Sequence, residues 1–182
     1  MKVVLMHGKN AKPNEGWYAW LRKEVEKKGI NFIAPELPNP EDPKLREWLS
    51  EIDKTKPDEN TILIGHSRGG LAILRWLERL LKGKKIEKVI LVATNSGSSE
   101  KRNLTKNNKS FFTKEGCDFE KIKSHCDNFV VIHSIDDPWV PFTAGEENAK
   151  GLNAKFKIYE DKRHFGRWFH PEIPEVLEEV IE

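Results

Sequence analysis

The sequence predicts a single α/β domain built on a six-stranded parallel sheet, and three observations carry that prediction. Short apolar runs alternate with longer segments of helical period, as βα units require. The runs are rich in Val, Ile and Leu with little strict alternation, which suits strands covered on both faces. The 182 residues match the usual size of one domain and leave little room for a second.

The first run is Lys2 to Met6, and the segment from Trp17 to Lys28 reads as a helix stopped by Gly29. Asn31 to Ala34 is the second strand, after which Pro43, with its φ preset for a first helical turn, opens a helix reaching Ile52. Thr61 to Ile64 leads into the clearest helix, Gly69 to Lys82, where Leu71, Leu74, Leu77 and Leu81 recur at helical spacing and Gly83 is the stop. Lys88 to Ala93, Asn128 to His133 and Lys155 to Tyr159 complete the six strands, with helices over Thr143 to Lys150 and Pro171 to Ile181. Thr94 to Cys126 is the least regular stretch, polar and rich in Ser, Asn and Lys before Phe111-Phe112. So long a connection reads as a lid or binding loop, with a partly disordered excursion as the alternative.

The 31 basic and 29 acidic residues leave a net charge of +2. The lysines are scattered, so no electrostatic footprint for nucleic acid stands out and a small molecule is the expected partner. The apolar start is too short for a secretory segment and no stretch approaches a membrane span, so a cytoplasmic protein without membrane contact is expected. Cys117 and Cys126 are too few for a disulfide framework and are expected as reduced thiols. There is no metal-ligand spacing of His, Cys and carboxylate and no dinucleotide or Walker pattern, so neither metal nor cofactor is expected.

Chemistry concentrates at Gly65-His66-Ser67-Arg68-Gly69, which follows a buried-strand pattern and runs straight into a helix. In that context Gly-x-Ser-x-Gly is a nucleophile elbow, a tight strand-to-helix turn that projects the Ser67 hydroxyl above the sheet edge. The helix N-terminus behind it favours negative charge. A serine hydroxyl is a weak nucleophile until a base takes its proton. In this arrangement the acid follows the penultimate strand and the histidine the last one. His164, in the loop after Tyr159, meets that requirement, with His170 as the competitor. Asp136-Asp137 leaves the preceding strand; both cannot address one imidazole, and Asp137 is assigned the role while Asp136 caps the turn or is solvated. His7 and His66 are assigned to packing or hydrogen bonding, and His133 to a polar spot within its strand. Backbone amides of Arg68 and of Lys9, with Asn10 as the alternative, are placed for an oxyanion hole. Trp17 and Trp139 are expected to line the substrate pocket and Trp168 to cover it, while Trp20, Trp48 and Trp76 fall at helical positions typical of core.

These residues resemble the small serine hydrolases that include retinoblastoma-binding protein nine and its bacterial relatives. The shared blocks run nearly end to end: Gly16-Trp17-Tyr18-x-Trp20, Leu37-Pro38-Asn39-Pro40, Gly65-His66-Ser67, Glu120-Lys121-Ile122-Lys123 with Cys126 after it, Ser134-x-Asp136-Asp137-Pro138-x-x-Pro141, and His164-Phe165. The resemblance implies an α/β-hydrolase core with strand order 2-1-3-4-5-6, helices on both faces and a minimal cap, and carries the catalytic roles onto Ser67, Asp137 and His164. The chain departs from the pattern at Arg163 and His133, where glycines are common. A shallow cleft for small acyl esters is the expectation; a peptidase or thioesterase, or a binding module that lost turnover, are the alternatives.

Overall fold

A computed structural model of the chain describes residues 1–98, 104–166 and 169–182. The strands β1 (Lys2–Met6), β2 (Asn31–Ile33), β3 (Thr61–His66), β4 (Lys88–Val92), β5 (Phe129–Ser134) and β6 (Lys155–Tyr159) form one sheet in the order β2-β1-β3-β4-β5-β6, every pair parallel. The helices are α1 (Trp17–Lys27), α2 (Leu45–Lys54), α3 (Arg68–Leu77), α4 (Lys106–Lys109), α5 (Phe119–Lys123), α6 (Phe142–Leu152) and α7 (Pro174–Ile181). No helix among the described residues is long and apolar enough to cross a membrane.

The apolar strand runs divide residue by residue between two cores. Val4, Met6, Leu63, Leu91 and Val131 pack toward α2 and α3 with Trp48 and Trp76. Val3, Leu5, Ile64, Val92 and Ile132 pack toward α1 and α7 with Trp17, Tyr18 and Val176. Successive side chains of a strand point to opposite faces, so a sheet covered on both sides needs apolar residues at nearly every position. Each large side chain buried this way contributes roughly 1.5–3 kcal/mol.

Three expectations of the fold need correction. The third helix ends at Leu77, not Lys82, because the amides of Arg79 and Leu80 turn to carbonyls three residues back; Leu81 is exposed, so its helical spacing marks no buried face. The last helix starts at Pro174 rather than Pro171, with proline again in the first turn. The stretch from Thr94 to Cys126 is not a free lid where it is described. Phe111 and Phe112 are buried, and the Arg75 guanidinium of α3 donates to the carbonyls of Phe111, Gly116 and Gly97 at 2.9–3.0 Å and to Glu78. A buried cation is tolerated only with such compensation. Cys117 and Cys126 are free thiols, pushed up to about 12 and about 11 by burial.

Candidate active site

Chain direction reverses between the crossovers leaving β1 and β3, and at the carboxyl ends of these strands an open α/β sheet forms its crevice. Ser67 occupies this point as the residue before α3, with φ 53° and ψ −118°. A side chain in that backbone region stores on the order of 1–3 kcal/mol and persists only where its surroundings hold it. Here the Ser67 amide donates to the Val92 carbonyl at 2.8 Å. Two glycines allow the turn to close: a Cβ at Gly65 would overlap the Cα of Gly70, and one at Gly69 would overlap the carbonyl oxygen of Met6.

His164 stands between two residues of positive φ, Arg163 at 49° and Phe165 at 50°. Arg163 therefore adopts the conformation for which glycine is the usual choice. Its amide donates to Asp136 Oδ1 at 2.7 Å, while the Lys162 amide donates to Ser134 Oγ at 3.0 Å. On the other side Trp17 Nε1 donates to the Phe165 carbonyl at 2.9 Å.

The two adjacent carboxylates divide their work. Asp137 Oδ1 accepts the amides of Trp139 and Val140 at 2.8 and 2.9 Å, and its Oδ2 lies 2.7 Å from His164 Nδ1. Because a carboxylate only accepts, His164 carries its proton on Nδ1 and leaves Nε2 as the basic nitrogen. Asp136 is exposed and accepts the Ser134 hydroxyl and the Arg163 amide; these hydrogen bonds, the hydroxyl first, hold its carboxyl below the usual range. His170 packs its ring against Phe165 instead.

His66 joins three loops of the site. Its Nε2 lies 2.9 Å from the His164 carbonyl and must donate to it, so Nδ1 accepts from the Tyr18 hydroxyl at 2.5 Å, and that hydroxyl accepts the Gly8 amide at 3.3 Å. The elbow, the loop after β1 and the histidine loop thus share one chain of hydrogen bonds. His7 acts similarly nearby, donating from Nδ1 to the Gly8 carbonyl and accepting the Leu37 amide at Nε2. Burial lowers His66 to about 3, and lowers His7 and His133 as well. A histidine kept neutral by folding binds fewer protons than its unfolded counterpart below the ordinary 6.5. Thermal stability is therefore expected to be highest above pH 6.5 and to fall steadily as pH drops from 6.5 toward 3; a melting temperature unchanged between pH 7 and about pH 5 would contradict this.

A cleft of about 360 Å³ opens over Ser67, lined among others by Lys9, Asn10, Tyr18, Arg68, Asn95, Trp139 and His164. Trp139 is 67% exposed, with its ring edge-on to His164 at 5.0 Å. Trp17 does not line the cleft as expected. It is fully buried and packs behind His66, and Tyr18 reaches the cleft in its place. Trp168 lies outside the described residues. Of the two amides considered for the loop after β1, that of Asn10 is already donated to the Pro40 carbonyl at 2.9 Å, which favours Lys9. Arg68 begins α3, so its amide has no intrahelical acceptor. Its guanidinium lies over the Phe111 and Phe112 rings.

Sequence reading missed Tyr18 and Asn95 as cleft residues. Asn95 had one available signal, its place just past the carboxyl end of β4.

Comparison with known proteins agrees with this architecture. The profile of the serine hydrolase family matches residues 3–176. The Bacillus subtilis (strain 168) protein YdeN, which carries a provisional hydrolase name, is 31% identical over 166 residues, covering 90% of this chain and 85% of its own length. The Rattus norvegicus serine hydrolase RBBP9 is 29% identical over 181 residues, 98% of this chain and 94% of its own. The crystal structure of the B. subtilis ydeN product superposes with a TM-score of 0.86 at 28% identity, covering 99% of this chain and 96% of that one.

Proposed function

Because the chain belongs to the serine hydrolase family, we propose that it cleaves small acyl esters through a covalent acyl-enzyme formed on Ser67. The observation that carries the reading is the 2.7 Å contact between Asp137 and His164 beside a serine at a strained strand-to-helix turn. His164 Nε2 takes the Ser67 proton as Oγ adds to the carbonyl carbon, and Asp137 steadies the imidazolium that results. The oxyanion is held by the amides of Arg68 and Lys9. Collapse of the tetrahedral adduct breaks the bond to the leaving alkoxide, which departs with the proton from His164. Water then adds to the acyl carbon as it gives a proton to His164, and collapse breaks the Oγ–acyl bond, returning that proton to Ser67 and releasing the carboxylic acid. A cleft of about 360 Å³ suits a short acyl chain better than a lipid.

The test is labelling of the purified protein with a fluorophosphonate, peptide mapping of the adduct, and a chain-length series of p-nitrophenyl esters. One adduct on the peptide containing Ser67, with turnover falling beyond short acyl chains, is the expected result. A folded protein that takes no label would leave a binding module as the better description.

A further inference from the structure

Directly beneath the Asp137–His164 pair lies a second histidine that the mechanism does not use. His133, the penultimate residue of β5, is fully buried. Its Nε2 lies 3.2 Å from the Val140 carbonyl and 3.6 Å from Asp137 Oδ2, with both side chains inaccessible to solvent. The carbonyl can only accept, so Nε2 carries the proton and donates it to Val140, while Asp137 Oδ2 at 3.6 Å lies within electrostatic reach of that N–H without accepting a hydrogen bond from it. Its Nδ1 faces α6, where a Cβ on Gly145 would come within 2.7 Å, and the ring meets Phe142 edge-on at 6.0 Å. The small residue on α6 makes room for the imidazole.

We infer that His133 is a positioning residue for the Asp137–His164 pair: it anchors the acid turn through the Val140 carbonyl and keeps an N–H dipole 3.6 Å from Asp137 Oδ2, moderating the hold of that carboxylate on the His164 imidazolium. The inference rests on the proposed roles of Asp137 and His164. The carboxylate already accepts three hydrogen bonds, from Trp139, Val140 and His164. A further N–H dipole inside this dry pocket withdraws negative potential from Oδ2, the atom on which the imidazolium depends. The titratable groups that interact with His133 are Asp137, His164 and, as a neutral buried imidazole, His66; α6 presents Gly145 and Phe142 to it. Burial keeps His133 neutral at ordinary pH, so it acts as a dipole and not as a charge.

The experiment is an NMR titration of the His164 imidazole in the full chain, assigned with His164→Gln, for the wild type, His133→Leu and His133→Asn. Leucine removes the donor, whereas asparagine keeps a side-chain N–H. In His133→Leu the His164 midpoint is expected to rise by about half a pH unit, less than a full neighbouring charge would shift it; in His133→Asn it is expected to stay near the wild-type value. The acid limb of kcat/KM should move with the midpoint. If leucine does not fit beside Gly145, His133→Gly removes the same donor and the same rise is expected. A folded donor-free variant with a wild-type midpoint would overturn the inference and leave His133 a packing residue. The titration needs no turnover, so failure of the Ser67 reading would show separately, as absence of the fluorophosphonate adduct.

Discussion

Ser67→Ala is expected to abolish fluorophosphonate labelling and reduce ester turnover by about 10⁶-fold, because without Oγ no acyl-enzyme can form. Stability should hardly change, since alanine occupies the same φ of 53° with the same Cβ. Ser67→Gly makes the sharper comparison. It should be equally inactive yet more stable than Ser67→Ala by about 1 kcal/mol, the strain relieved at a positive φ exceeding the entropy glycine adds to the unfolded chain. Turnover and urea midpoints for the three proteins decide both points. Residual activity of the alanine variant at the wild-type level would remove Ser67 from the mechanism. Equal midpoints for alanine and glycine would mean that the elbow holds no strain.

Asp137→Asn is expected to lower kcat by about 10⁴-fold, while Asp136→Asn leaves it within a few-fold of wild type. The reason is proton placement. An asparagine at 137 can still accept the Trp139 and Val140 amides on its oxygen, which directs its NH₂ at His164 Nδ1. His164 must then accept there and carry its proton on Nε2, the nitrogen that has to receive the Ser67 proton. At 136, an asparagine oxygen can replace Oδ1 as acceptor for Ser134 and Arg163. Steady-state kinetics on p-nitrophenyl esters, normalised to labelled serine, would measure both. The reverse ranking of the two variants would reassign the orienting role to Asp136.

Much of the fold was legible because its signals are local. The bounds of β1 and β6 agree with the apolar runs, and the elbow announces itself through contiguous glycines that the close approach of β3, α3 and β1 requires. Leu81 shows the limit of periodicity: it keeps helical spacing after the helix has ended, because spacing does not report whether a partner surface is present.

At the site the same division holds. An all-parallel sheet covered on both faces, a serine just before α3, and an acid and a histidine in the loops after the last two strands are properties of the sequence alone, since each is written in neighbouring residues or in chain order. Side-chain direction is not. Trp17 and Tyr18 are adjacent and both buried against His66, yet only Tyr18 borders the cleft, because successive residues of a helix point about 100° apart and only the docking of α1 decides which of them reaches it. For Asp136 and Asp137, sequence order and family resemblance choose the second, but only the tertiary contacts show why the two neighbours differ. The contacts that separate them, with Ser134, Arg163, His164 and His133, include partners 27 residues away, and the chain meets those only once β5 and β6 have paired.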